Sequence, residues 1–325
     1  MTRKKQVGFS LLETMVALVI LSAVGGIVMS GMVQLMKTQG TIANRTDMHS
    51  SVRSATELLQ QEIGQAGRVS LGAPGANITL NAAVAAGTVP VTFTLNTSVA
   101  GVTPIVYQGE ALTVDLGLFQ ETVAVATASG TDSTGTALFQ YPHAAGAPVS
   151  ALGAFATGIV PPGTLCGGVA CGSTTTLLKL YGDINGDGNM VYVEYNCTQG
   201  TLAAPGNLYR NQMSVTAGAK PAVDNTMILL NNVLQNPNDP SGNAVPCFAY
   251  QIQNLGSGLC VTDVAVTLTV QTQNVDPQTG QFQAETKALL NVAPRNVVEV
   301  YDTASLVDPT RAQVIPPSVS ALLGP

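Results

Sequence analysis

Charge is scarce in this chain of 325 residues: Asp, Glu, Lys and Arg together make up 10% of it, aromatic residues 5%, and there is no Trp. No Lys or Arg occurs between Val69 and Leu178. From Val69 to Pro325 six Lys and Arg stand against fifteen Asp and Glu, a formal balance of about −9. Affinity for nucleic acid rests on neutralising phosphates with Lys and Arg, so this balance argues against a nucleic-acid partner. Enzyme motifs are missing too: no G-x-S-x-G, no P-loop and no H-E-x-x-H occurs. His49 and His143 are the only histidines, and no Cys-x2-Cys pair offers zinc its usual spacing. His143 lies in Tyr141-Pro142-His143-Ala144, with no carboxylate beside it in sequence, and reads as a surface loop residue. Nothing in the sequence recommends an enzyme.

What the chain does have is one long uncharged run near its start. Arg3, Lys4 and Lys5 form a basic head, and the 23 residues from Thr14 to Met36 carry no charge. A cleaved secretory signal has a shorter apolar region, whereas about 20 residues suffice to cross a bilayer core. The basic head predicts a cytoplasmic N-terminus, with the remainder on the far side of the membrane. Glu13 then stands at the lip of the span. A carboxylate near lipid is costly and usually either snorkels to water or marks function.

Beyond Lys37 the apolar residues Ile42, Met48, Val52, Ala55, Leu59, Ile63 and Ala66 recur mostly at steps of three or four, one face of a helix. One helix is therefore expected from Ser10 to Ala66, ended by Gly67, with an apolar stripe that needs a sheet to cover it. Gly25, Gly26 and Gly31 lie in its membrane half, where small residues permit close helix approach.

After Gly67 short runs rich in Val, Thr and Leu alternate with Gly, Asn and Pro, as strands and turns do. The strand candidates are 89–95, 104–108, 111–126, 136–141, 176–181, 190–196, 226–233, 247–253, 260–273 and 281–301. The fold class is α+β, a long N-terminal helix on a mainly antiparallel β-domain. Its expected divisions are 1–8 leader, 9–36 membrane helix, 37–67 amphipathic continuation, 68–175 β-rich insertion, 176–307 β-domain and 308–325 disordered tail.

Residues Asp183 to Glu194 fit the pattern D-x-[DN]-x-[DN]-G-x5-E. Asp183, Asn185 and Asp187, the Asn189 carbonyl and a bidentate Glu194 could supply oxygens to a Ca²⁺ ion. A plain β-hairpin is the alternative, because Asn-Gly and Asp-Gly are strong turn pairs and the flanks look like strands. Five cysteines leave one unpaired. Cys166 and Cys171 flank a flexible Gly-Gly loop, and Cys247 and Cys260 bracket a turn, so these two pairs are expected, with Cys197 free or bonded across subunits.

The stretch Gly8-Phe9-Ser10-Leu11-Leu12-Glu13 behind the basic head resembles the type IV prepilin signal. The resemblance implies cleavage after Gly8 by a prepilin peptidase and N-methylation of Phe9. It also implies a partner for Glu13, the N-terminus of a neighbouring subunit. Glu57-Leu58-Leu59-Gln60-Gln61-Glu62-Ile63-Gly64-Gln65-Ala66-Gly67 and Ala293-Pro294-Arg295-Asn296-Val297-Val298 are similar to the minor pilins usually called PilW. Major and minor pilins and the inner-membrane assembly platform would be the partners. The minor pseudopilins of type II secretion share the helix signature and stay an alternative, as does a calcium-dependent adhesive tip subunit.

Overall fold

A computed structural model describes residues 10–71, 77–101, 103–151, 153–254, 258–306 and 311–324. Helix α1 (Leu11–Gln65) runs unbroken through both the apolar and the amphipathic stretch, within a residue of the expected bounds. Two compact units divide the chain: Met1–Ser50 with Gln271–Ala284, and Ser51–Val270 with Glu285–Pro325.

In the first unit the Thr41 hydroxyl donates to Asp276 at 2.5 Å and Gln278 donates to the Thr38 hydroxyl at 2.9 Å. Arg45 donates to Gln283, which in turn donates to Asp276. The Thr41 hydrogen bond, helped by the Gln278 amide, holds the Asp276 carboxyl below its ordinary range.

The second unit contains two large antiparallel sheets. The first takes strands β1 (Ile78–Leu80), β2 (Val91–Thr97), β3 (Ala111–Val114), β4 (Glu121–Ala128), β5 (Thr134–Ala137) and β6 (Val149–Ala151) in the order β1-β2-β5-β4-β3-β6. Its core gathers Leu80, Phe93, Val106, Leu112, Val123 and Phe139. Three short strands follow: β7 (Ala154–Phe155), and β8 (Leu165–Cys166) paired with β9 (Val169–Ala170).

The larger sheet takes β10 (Leu177–Gly182), β11 (Val191–Cys197), β12 (Gly206–Ser214), β13 (Ile228–Leu234), β14 (Phe248–Asn254), β15 (Leu259–Gln271) and β16 (Ala284–Val292). Its order is β10-β11-β12-β13-β15-β14, with β16 paired to β15. The β10–β11 register sets Lys179 against Glu194 and Tyr181 against Tyr192, and β12 adds Asn211 beside Glu194 and Arg210 beside Tyr195. Because side chains alternate along a strand, Tyr195 and Arg210 share one face while Lys179, Tyr192 and Glu194 share the other. Val52, Ala55, Leu59 and Ile63 of α1 are buried, and the Tyr195 face carries the hydroxyl that reaches Glu62 of α1.

Helix α1 ends at Gly67, whose left-handed backbone (φ 82°) few other residues tolerate. Its N–H donates to the Tyr181 carbonyl at 2.9 Å, and its own carbonyl accepts from Phe155. A Cβ built on Gly158 would stand 2.2 Å from the Gly67 Cα. Two bare backbones are what allow the helix end to meet the β7 loop.

Two expectations about the end of the chain are corrected. The 281–301 candidate breaks at Pro294, which cannot donate to a ladder, and α2 (Arg295–Leu306) follows with Val297 and Val300 buried one turn apart. Residues 311–324 of the expected disordered tail are instead a packed strap. Strand β17 (Ala312–Gln313) pairs in parallel with β7, and α3 (Pro317–Leu322) buries Val319, Leu322 and Leu323 beside Tyr107, Phe155 and Tyr192. Lysines secure the strap: Lys179 Nζ donates to the Leu323 carbonyl at 2.9 Å and Lys220 Nζ to the Gly324 carbonyl at 3.0 Å.

The cysteines also depart from expectation in part. Cys166 and Cys171 are bonded, closing the β8–β9 hairpin. Cys247, however, is bonded to Cys197, and it is Cys260 that keeps a buried thiol. The segment entering β10 is the reason. Cys197 ends β11 and Cys247 immediately precedes β14, and the Cys197 N–H and the Phe248 N–H reach the neighbouring Thr176 and Thr175 carbonyls. Cys260, within β15, pairs with Gln253 and donates its thiol to that residue's carbonyl.

Glu110 adds a titratable group to this interior. It is fully buried; Oε2 accepts from the Tyr107 N–H at 3.1 Å, and Oε1 has no partner among the described residues. Burial pushes its carboxyl up to about 8, against the Tyr107 hydrogen bond. The folded protein therefore keeps a proton that the unfolded chain releases above roughly pH 4.3. Stability should fall as pH rises from there toward 8 and level off beyond it. Thermal melts across pH 5–8 should show this slope, and Glu110→Gln should flatten it; parallel curves would contradict the assignment. Cys247→Ser opens a bridge spanning 50 residues and should cost about 2–5 kcal/mol. In Cys260→Ser, by contrast, non-reducing peptide mapping should still find both bridges.

Candidate functional site: an exposed apolar helix with one carboxylate

The described part of the expected membrane span, Ser10 to Met36, is exposed on every side. At 1.5 Å per residue the 23 uncharged positions extend roughly 35 Å, enough for a hydrocarbon core of about 30 Å. The helix satisfies its own interior backbone groups, the condition for any segment that crosses lipid. Hydroxyls follow the same rule: Thr14 donates to the Ser10 carbonyl, Ser22 to Leu18 and Ser30 to Ile27. A Cβ added to Gly25, Gly26 or Gly31 would meet nothing within 4 Å.

Glu13 lies in the first turn of α1, where the unsatisfied N–H groups and the helix dipole favour an anion. It has no cationic partner among the described residues. Gly8 and Phe9, the expected cleavage and methylation positions, lie outside the described residues.

A second glutamate on α1 was not singled out by the sequence. Glu62 is buried between Leu59 and Ile63. The Tyr195 hydroxyl donates to it at 2.5 Å, and the Arg210 guanidinium grips it through Nε, at 3.1 and 3.2 Å, and Nη2. Burial opposes the Arg210 charge, but the Glu62 hydrogen bonds and charge outweigh it and hold the guanidinium above its ordinary range. Burial and the Glu62 charge raise the Tyr195 phenol. The available signal was positional: Glu62 falls three residues after Leu59, on the stripe itself.

The expected calcium set is not brought together. Asp183 is buried and accepts the N–H groups of Asp187 at 3.1 Å and Gly188 at 3.3 Å. Asn185, Asp187 and Asn189 point to solvent, and Asp187 accepts from the Asn189 N–H. Glu194 lies three residues along β11 from the hairpin's closing pair, roughly 10 Å away. It accepts from the Tyr192 hydroxyl at 2.5 Å and from Lys220 at 3.1 Å, and Lys179 stands 3.8 Å off. Burial depresses the Lys179 ammonium below the usual lysine range, against the pull of Glu194. Arg68 already supplies a cation beside the loop: its Nε lies 3.8 Å from Asp183. Among the described residues no three His, Cys, Asp or Glu side chains stand where one metal could bind them. The EF-hand spacing assumes a helix after the loop. Here a strand follows and carries Glu194 into a separate buried ion cluster.

His143 is also corrected. It is buried rather than on the surface, with Nδ1 3.1 Å from Asp115 and Nε2 2.7 Å from Glu121. Both ring nitrogens are engaged, so neither is presented to a substrate.

A family model, the prokaryotic N-terminal methylation motif, matches residues 3–30. No curated protein and no solved structure matches the chain. The matched segment holds the basic head, Gly8, Phe9, Glu13 and most of the uncharged run. The chain thus carries a type IV prepilin-like leader on a single long apolar helix, as a membrane-anchored pilin-like precursor does.

The Glu62–Arg210 pair gives this helix a testable hold on its sheet. Arg210→Met strands a buried carboxylate and should cost about 3 kcal/mol of unfolding free energy. Glu62→Gln in the same background should recover much of that loss, so chemical denaturation of the double-mutant cycle should be strongly non-additive. Additive losses would show that the two groups act independently.

Proposed function

We propose that this chain is a minor pilin, taking part in the assembly or priming of a type IV pilus. The observation that carries the reading is the combination of a methylation-type leader with a long uncharged run at whose start the carboxylate of Glu13 lacks a cation among the described residues. In this reading the N-terminus is cytoplasmic and the β-rich part periplasmic, and a prepilin peptidase cuts after Gly8 and N-methylates Phe9.

Cleavage has an electrostatic consequence. It creates an α-ammonium group at Phe9, four residues from Glu13. When helices of pilin subunits pack side by side, that ammonium on one subunit meets the Glu13 carboxylate of another. Opposite charges near low dielectric attract strongly, and leaving either unpaired incurs its full desolvation penalty. The pair therefore sets the axial register between helices that lipid-like packing alone would let slide. Gly25, Gly26 and Gly31, where an added Cβ would meet nothing else among the described residues, suit close approach by a neighbouring helix. The inner-membrane platform and other major and minor pilins are the partners this assembly requires. The similarity of the 57–67 and 293–298 segments to PilW-type minor pilins supports the minor-pilin assignment over a type II secretion pseudopilin.

Two substitutions separate the steps. Gly8→Arg should leave an uncut precursor, seen as a slower band and an intact leader mass. Glu13→Ala should be cut and methylated normally but incorporated into filaments at least tenfold less, roughly the effect of losing an ion pair worth more than 1.4 kcal/mol. Normal cutting of the first variant, or normal incorporation of the second, would contradict the corresponding step.

A further inference from the structure

The turn between β3 and β4 reads Asp115-Leu116-Gly117-Leu118-Phe119-Gln120-Glu121 and turns its apolar residues outward. Leu118 is 93% exposed, Leu116 71% and Phe119 53%. The Phe119 ring meets Tyr141 edge-on, 6.1 Å between centroids. Isolated exposed leucines need no explanation, but three large apolar side chains within four residues form a patch.

The turn is held firmly at both ends. Asp115 adopts a left-handed backbone (φ 67°), its N–H donates to the Pro148 carbonyl at 2.8 Å, and its carboxylate accepts from the Leu116 N–H. Glu121 accepts the N–H groups of Gln140 and Tyr141 at 2.8 and 2.9 Å. Buried His143 stands between the two carboxylates, Nδ1 toward Asp115 and Nε2 toward Glu121. One imidazole therefore ties the first residue of the turn to the last, and the backbone strain at Asp115 is kept while the apolar tip projects.

We propose that this turn is an anchor that seats in the apolar zone of a zwitterionic lipid surface. Charge selects that occupant. No Lys or Arg lies between Val69 and Leu178, so an anionic leaflet would offer this sheet no attraction. The strongly acidic balance of the chain beyond Val69 opposes docking of one copy on another. Leu116, Gly117, Leu118 and Phe119 carry no polar side-chain group, and the two carboxylates at the base are taken by His143, leaving little of the hydrogen bonding that protein interfaces use. A zwitterionic surface asks for none of it and accepts apolar tips with aromatic rings at headgroup level. The proposal does not depend on the pilin reading and would survive its failure.

The absence of Trp makes the test direct. Leu118→Trp places the only indole at the tip, and Val89→Trp, at a 65% exposed site in the same unit, serves as control. Full-length protein is reconstituted in phosphatidylcholine vesicles. Brominated phosphatidylcholine is supplied either in the same vesicles or in vesicles added afterward. The expected result is loss of L118W emission in at least one arm with V89W unaffected, and reversal of that loss by Leu116→Ser and Phe119→Ser together. The proposal is overturned if L118W keeps its emission in both arms, if V89W is quenched equally, or if quenching requires added anionic lipid. A concentration-dependent blue shift of L118W without quenching would assign the patch to self-association and overturn it as well.

Discussion

The ion pair between Glu62 and Arg210 is the constraint on which the β-rich unit is arranged. It joins the last turns of α1 to β12, with the Tyr195 hydroxyl of β11 completing the cluster. A carboxylate this buried is tolerable only with its charge matched and its oxygens hydrogen-bonded. That requirement fixes which face of the sheet receives the helix and how far along it the helix lies. The opposite face is left to the strap, where Lys179, Lys220 and Glu194 form a second buried cluster around the closing residues of the chain.

The same helix carries a second glutamate under the opposite condition. Glu62 finds its cation within the chain, whereas Glu13 finds none among the described residues. Both sit in surroundings poor in water, the first in a protein core and the second beside an expected lipid phase. Burial physics is common to the two, and in the proposed reading the cation for Glu13 comes from a neighbouring subunit. A leader of the N-terminal methylation type fits the proposed source of that cation, since cutting the leader would expose an α-amino group near the carboxylate. In that proposal processing and packing are one electrostatic event: a precursor that is not cut would lack the charge its neighbour needs.

Much of the framework was legible in the sequence. Apolar spacing of three and four, and Gly67 beyond it, placed α1 within a residue of its observed ends. Candidate strand 190–196 fell on β11 (Val191–Cys197) within a residue at each end. Strand β12 escaped because the positions it buries include Asn211 and half-buried Arg210, polar side chains whose partners lie on other elements, so no apolar period shows. Helix α2 hid in a run of β-branched residues, Val297-Val298-Glu299-Val300, whose local preference is for strand. The cysteine pairing was decided where the end of β11 and the start of β14 both meet the segment before β10, a contact between distant residues that leaves no local trace. His143 looked exposed for a similar reason: its two carboxylates lie 28 and 22 residues away in sequence. The twelve-residue calcium pattern records spacing without the helix that gives the spacing its geometry, and here a strand carries Glu194 away from the turn.

The central claim is that the mature chain begins at Phe9, with its new α-amino group placed to pair with Glu13. Mass spectrometry of the N-terminal peptide of protein purified from its native membranes tests this most directly. The account predicts a peptide starting at Phe9 and heavier by one methyl group, about 14 Da, on its α-nitrogen. A peptide that still contains Arg3, Lys4 and Lys5, or one that begins downstream of the uncharged run, would contradict it.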